Sequence, residues 1–189
     1  MKIFVTRHGQ TDWNVLKKLQ GQTDIALNET GRKQAEEARE KIKNEKIDLI
    51  ITSNLKRARE TAEIINKNLN ASIIEDQRLL ERGFGEYEGT TKDERAKLKE
   101  INPEINDIWN YNKNVSLDSL ETMHELCDRI YEFLDEIIEK YKDKNILLVT
   151  HRGTSLPIIC YLKKYPLEEV VDKDVIKTLE NCEIVEFEV

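Results

Sequence analysis

Short runs rich in β-branched and other apolar residues alternate along the chain with stretches whose apolar positions recur at helical spacing, the pattern of an α/β sheet. Ile3-Phe4-Val5-Thr6 reads as a buried strand. A helix is predicted from Asn28, a good N-cap, with Ala35, Ala38 and Ile42 on one face. Residues 47–52 form the next strand, and Ser53 is placed to cap a helix with the stripe Ala58, Ala62, Ile65 and Leu69. A short strand follows at 72–75. A long amphipathic helix is predicted over about 118–142, with Leu120, Met123, Cys127, Ile130, Leu134, Ile137 and Tyr141 at its spacing. Residues 146–150 are apolar up to Thr150, as in a strand at a sheet centre. At 183–189, Val185, Phe187 and Val189 alternate with Glu186 and Glu188, which predicts an edge strand. Residues 83–116, with Gly83, Gly85, Gly89 and Pro103, break the pattern and predict a lid-like excursion over the sheet with one or two short helices. The expected fold is one domain over 1–189, a three-layer α/β/α sandwich with a mostly parallel sheet and one antiparallel edge strand.

Composition narrows the function classes. With 189 residues, 39% hydrophobic and 35% charged, the chain can bury a core without staples and has the balance of a soluble globular protein. The formal net charge is −7, with no long block of like charge, which argues against a nucleic-acid or acidic-membrane partner. An anionic substrate must therefore be held by a local cluster of positive groups. Cys127, Cys160 and Cys182 are too widely spaced for a zinc or redox motif and read as buried thiols in a reducing compartment. The chain opens into a strand with neither a basic leader nor a signal-peptide core, and its apolar runs are too short to span a bilayer. A cytoplasmic location is expected.

The strand ends carry the chemistry. Arg7-His8-Gly9 lies just past the first strand, Arg57 in the first helical turn after the second, and His151 just past the apolar strand. Ligands of open α/β sheets bind at the carboxyl ends of strands, so three groups suited to an anion share one edge. Cleaving a phosphate monoester without a metal takes a nucleophile, donors for the non-bridging oxygens and an acid for the leaving oxygen. A neutral imidazole can attack, and arginine is the natural phosphate clamp. Gly9 would let the backbone approach the ligand closely.

The run Arg7-His8-Gly9-Gln10-Thr11-Asp12-Trp13-Asn14 closely resembles the signature of the histidine phosphatase superfamily, which includes cofactor-dependent phosphoglycerate mutases and many small phosphatases. The resemblance continues through Gln20-Gly21, Asp24, Leu27, Asn28 and Gly31, through residues 52–62 around Arg57, through 80–89 around Glu81, and through Val149-Thr150-His151 and Asn181-Cys182. Only about 90–116 lacks a counterpart. The resemblance implies His8 as phosphoryl acceptor and Arg7, Arg57 and His151 as the pocket around the phosphoryl oxygens. It implies Glu81 as proton donor and later base, and Asn14, Gln20 and Gly21 at the mouth. Neither a metal nor another cofactor is implied.

Some positions depart from the family. Lys18 stands where arginine is usual, Arg152 where a small residue usually follows the second histidine, and Leu120 where glycine is expected before Glu121-Thr122. Arg152 either adds a phosphate contact or faces solvent. Glu86 and Glu88 are alternative acids beside Glu81. Arg82 resembles the mutase version of the acid loop and joins the substrate-binding candidates. Trp109 and Tyr111 either cover the pocket or pack on the sheet, and a structural or surface role is expected for His124. The expected function is a phosphatase acting on a small phosphorylated metabolite through phosphohistidine. The alternatives are a phosphoglycerate mutase and a non-catalytic phosphate-binding module. Substrate identity and oligomeric state are not legible in the sequence.

Overall fold

The computed structural model describes residues 1–167 and 177–189. Its elements run β1 (Lys2–Arg7), α1 (Asp12–Val15), α2 (Glu29–Ile42), β2 (Leu49–Thr52), α3 (Lys56–Asn66), β3 (Ser72–Glu75), α4 (Lys92–Ile101), α5 (Met123–Lys140), β4 (Ile146–Thr150), α6 (Arg152–Lys163) and β5 (Ile184–Glu188). The sheet order is β3-β2-β4-β1-β5. β1, β2, β3 and β4 are parallel to one another, and β5 runs antiparallel along β1 at the edge, as the alternation in its sequence predicts.

Alternate side chains of the central strands build two separate cores, which makes the sheet the middle of three layers. Ile3, Val5, Leu49, Ile51, Ile146 and Leu148 pack against Leu126, Ile130, Phe133 and Leu134 of α5 and against Ile158 and Ile159 of α6. Phe4, Ile50, Leu147 and Val149 point the other way, onto Ala35, Ala38 and Ile42 of α2 and Ala58, Ala62 and Ile65 of α3. Each fully buried aliphatic side chain contributes roughly 1.5–3 kcal/mol. β4 is buried along its whole length, which explains its lack of alternation. Among the described residues no helix is long and apolar enough to cross a membrane.

Three boundaries differ from expectation. β2 starts at Leu49, because Ile47 is buried from the loop before it while Asp48 and Leu49 donate to the Asn145 carbonyl. Ser53 does not cap α3; its hydroxyl accepts only from the Leu55 amide at 3.4 Å, and the distant Asp24 carboxylate takes the Lys56 amide at 2.8 Å. α5 begins at Met123, where Thr122 and Glu125 form a capping box, and Ser119 in the left-handed region (φ 59°) breaks any helical path from 118. Leu120 is left to pack with Phe84 and Ile108 in a small third core. That cluster, with Trp109, Val115 and Leu117 against it, holds the 83–116 excursion on the body of the protein.

Candidate active site

Register brings the two histidines together. β1 and β4 pair in parallel as far as Arg7 opposite Thr150, so His8 and His151 leave the sheet side by side. Their ring centroids are 5.2 Å apart. The His8 amide donates to the Thr150 carbonyl at 3.0 Å, and the Asn181 side chain donates to the His8 carbonyl at 2.8 Å. The nucleophile candidate is thus fixed from the end of β4 on one side and from Asn181, ahead of β5, on the other.

The hydrogen-bond partners set the tautomers. His8 Nδ1 lies 2.7 Å from the Gly9 carbonyl, which can only accept, so Nδ1 carries the hydrogen and Nε2 presents its lone pair. Arg57 Nε, which can only donate, lies 3.3 Å from His151 Nδ1, so His151 carries its hydrogen on Nε2. Burial, and then the positive charge of Arg57, hold both rings well below the usual 6.5, so both are neutral near pH 7. Among the described residues, three buried side-chain nitrogens have no hydrogen-bond partner. They are Arg7 Nε, on the residue before His8, His151 Nε2, on the ring 5.2 Å from that of His8, and Arg82 Nη2.

Arg57 is wholly buried. Its Nη1 donates to the Thr23 carbonyl at 2.7 Å and its Nη2 to the Gly21 carbonyl at 2.6 Å, which leaves two of a guanidinium's five N–H groups. Burial lowers its pKa to about 10, with Glu81 opposing, so it stays charged at neutral pH. Burial likewise lowers that of Arg7, again with Glu81 opposing. Gly21 has φ +53°, and a Cβ there would sit 2.0 Å from Glu88 Oε1. The Glu88 carboxylate accepts from the amides of Gln22 (2.9 Å), Thr23 (2.9 Å) and Phe84 (3.1 Å) and from the Thr23 hydroxyl (2.5 Å). It ties the loop that holds Arg57 to the acid loop. Asn14 and Gln20 converge on Thr11, whose hydroxyl is 3.2 Å from Asn14 Oδ1 and 3.0 Å from Gln20 Oε1.

Glu81 sits at the N-terminus of α6. Its Oε1 accepts from the amides of Arg82 (2.9 Å) and Thr154 (3.2 Å) and lies 3.3 Å from the Thr154 hydroxyl oxygen, and its Oε2 accepts from the Gly153 amide alone at 3.1 Å. The free N–H groups and the dipole of the helix start suit a carboxylate there. Glu86 is exposed, and the four donors already on Glu88 occupy both its oxygens. A Cβ at Gly153 would lie 2.6 Å from Glu81 Oε1 and 3.0 Å from the Trp109 ring. Gly153 thus lies between the Glu81 carboxylate and the Trp109 ring, which packs against the cores on either side of it and on Phe84. Tyr111 instead stacks on His124 at 4.4 Å, with its carbonyl 3.1 Å from His124 Nε2, and so joins the excursion to α5.

Two of the residues singled out in the sequence make contacts that the sequence did not show. Arg82, read as a substrate-binding residue, is fully buried beneath the excursion: Nε donates to the Glu121 carbonyl and Nη1 to the Ile108 carbonyl, both at 2.7 Å, and its charge lies 4.8 Å from the Trp109 ring centre. The closeness that makes Gly9 a glycine is to the protein rather than to a ligand, since a Cβ would fall 2.4 Å from the Gly31 carbonyl at the start of α2. Arg152 is exposed and donates to the Thr178 hydroxyl at 3.2 Å. Lys18 lies 5.5 Å from the Trp13 ring centre at the mouth. Among the described residues, no group of three or more His, Cys, Asp or Glu could hold a metal ion. Sequence reasoning missed Glu88, Thr154, Glu121 and Arg129 as supports; their partners are many residues away, and no local motif marks them.

The buried neutral histidines make stability depend on pH. The unfolded chain protonates them near 6.5, the folded protein only well below that. Between those limits the unfolded state binds more protons, so stability falls as pH falls. The urea midpoint is expected to drop between about pH 7.5 and 5.5, with a slope approaching ~1.4 kcal/mol per pH unit for each histidine. His8→Gln should remove roughly half of that slope. A flat midpoint would show that the folded state takes up these protons.

Comparison with known proteins adds an independent line. The sequence profile of the histidine phosphatase superfamily (branch 1) matches residues 3–189. An uncharacterised phosphatase, PhoE of Bacillus subtilis, is 41% identical over 149 residues, covering 79% of this chain and 70% of that protein. A probable phosphoglycerate mutase, GpmB of Photorhabdus laumondii, is 40% identical over 157 residues, covering 80% and 69%. The solved structure of Bacillus stearothermophilus YhfR superposes with a TM-score of 0.88 at 28% identity, covering 100% of this chain and 91% of that one.

Proposed function

Because the chain belongs to the histidine phosphatase superfamily and so has a phosphatase or mutase type of function, we propose that it is a hydrolase of a small-molecule phosphomonoester, with His8 as nucleophile. One observation carries this reading. The Gly9 carbonyl fixes His8 so that Nε2 offers a lone pair, and the ring of His151, whose Nε2 has no partner, lies 5.2 Å from that of His8, centre to centre.

In the first step the Nε2 lone pair attacks phosphorus and the ester P–O bond breaks. Arg7, His151 and the two remaining N–H groups of Arg57 hold the non-bridging oxygens, and Glu81 gives its proton through Oε2 to the departing oxygen. In the second step the Glu81 carboxylate takes a proton from water, the water oxygen bonds to phosphorus, and the N–P bond breaks. His8 recovers its lone pair and inorganic phosphate leaves. No metal is needed for this charge balance, because the arginines supply the positive charge.

A mutase must keep phosphohistidine from water and hold the second anionic group of its substrate, which calls for further cations over the pocket. Arg82 and Arg95 spend most of their donors on the protein, with Arg82 Nη2 left unpartnered. Arg82 is buried on main-chain carbonyls, and Arg95 donates to Thr90 and to the Lys17 carbonyl. Hydrolysis is therefore favoured over phosphoryl return. We expect phosphate release from 3-phosphoglycerate to exceed its conversion to 2-phosphoglycerate, with or without 2,3-bisphosphoglycerate as primer. Interconversion faster than hydrolysis would make the protein a mutase.

A further inference from the structure

Leu80 and Glu81 lie where a 3-10 turn over Gln77–Leu79 ends and no strand begins, so the main chain that carries the acid has no ladder of its own. It is gripped from α5. Arg129 Nη2 donates to the Leu80 carbonyl at 3.0 Å and lies 3.5 Å from the Glu81 carbonyl, while Nη1 donates to the Arg78 carbonyl. The same guanidinium pairs with both oxygens of Glu121, at 2.5 and 3.0 Å. Glu121 Oε2 in turn accepts the Gly83 amide at 3.0 Å. The carbonyls up to Glu81 are thus held by one partner of an ion pair, and the amide two residues beyond it by the other. The pair is largely shielded, with side-chain exposures of 19% and 16% for Arg129 and Glu121, so solvent and salt screen it little.

We propose that the Arg129–Glu121 pair is a positioning device for Glu81. This rests on the reading of Glu81 as the acid that protonates the leaving group. Proton transfer in the transition state needs hydrogen-bond distance, and a displacement of about 1 Å costs on the order of 10²-fold. The loop would not come loose altogether without Arg129. Thr154 Oγ1 still donates to the Leu80 carbonyl at 2.7 Å and Gln22 Nε2 to the Glu81 carbonyl at 3.1 Å. The loss should therefore fall on the acid's placement more than on the fold.

The test is the leaving-group dependence of kcat over substituted phenyl phosphates, from p-nitrophenyl to unsubstituted phenyl. Glu81→Gln should steepen it. Arg129→Gln should steepen it in the same direction, lowering phenyl phosphate turnover roughly 10–100-fold and p-nitrophenyl phosphate less than about threefold, with KM little changed. Arg129→Lys and Glu121→Gln, which each keep part of the grip, should fall between it and wild type, and they carry the test if Arg129→Gln does not fold. In a Glu81→Gln background the Arg129 change should add less than about threefold. A uniform loss across the series, beside a steep Glu81→Gln, would overturn the positioning role and leave the acid assignment standing. A Glu81→Gln slope equal to wild type would overturn the acid assignment itself and the positioning role with it.

Discussion

His8→Ala is expected to lower turnover by at least roughly 10⁴-fold, because it removes the only group placed to bond to phosphorus in the proposed mechanism. The rest of the site should survive. The main-chain bonds that fix residue 8, from its amide to Thr150 and from Asn181 to its carbonyl, do not involve the ring. Arg7, Arg57 and His151 would still bind phosphate, so inhibition by inorganic phosphate should persist while turnover is lost. Rapid acid-free quenching of the wild type with labelled substrate should trap protein-bound phosphate that is stable to base and labile to acid. The variant should trap none. Turnover within about tenfold of wild type, or an undiminished phosphoenzyme, would sink the assignment.

Arg57→Lys should cost roughly 10²–10³-fold in kcat/KM although the charge is kept. The guanidinium fork does three things at once: it holds the Gly21 and Thr23 carbonyls, directs the hydrogen of His151 to Nε2, and keeps two N–H groups for the phosphoryl oxygens. An ammonium has three hydrogens and no fixed plane, so it cannot serve all of these together. Without the donor at Nδ1, His151 can take the other tautomer and present a lone pair to the substrate's oxygens. Activity close to wild type would mean that charge alone matters at this position and that the tautomer argument is wrong.

What was legible in the sequence divides along physical lines. The parallel strands β1, β2 and β4 could be read because burial on both faces leaves continuous apolar runs, and β5 because one-sided burial leaves alternation. Arg7, His8 and His151 could be placed together because strand ends in a parallel sheet share an edge. The orientation of Arg82 could not be read, since it is set by the carbonyls of Ile108 and Glu121, 26 and 39 residues away. The failed cap at Ser53 has the same origin: the amide it was expected to serve is taken by Asp24, 32 residues back in the chain. Arg129 stands about 50 residues from the acid loop in the chain, and only folding brings it onto that loop's carbonyls.

The anchoring of the excursion has a consequence for redesign and divergence. Its beginning is tied down by Glu88, which grips the Phe84 amide and the 22–23 loop, and its end by Glu121, which grips the Gly83 amide. The stretch between these two carboxylates hangs from fixed points, and near the acid it supplies the Trp109 ring beside Gly153 and the Ile108 carbonyl that holds Arg82. Changes of length or sequence between them are thus felt first where the stretch is itself anchored, at the Phe84–Ile108–Leu120 cluster and at the Ile108 carbonyl on Arg82, and a redesign that keeps those two anchors leaves the hydrogen bonds of His8 and Arg57 untouched.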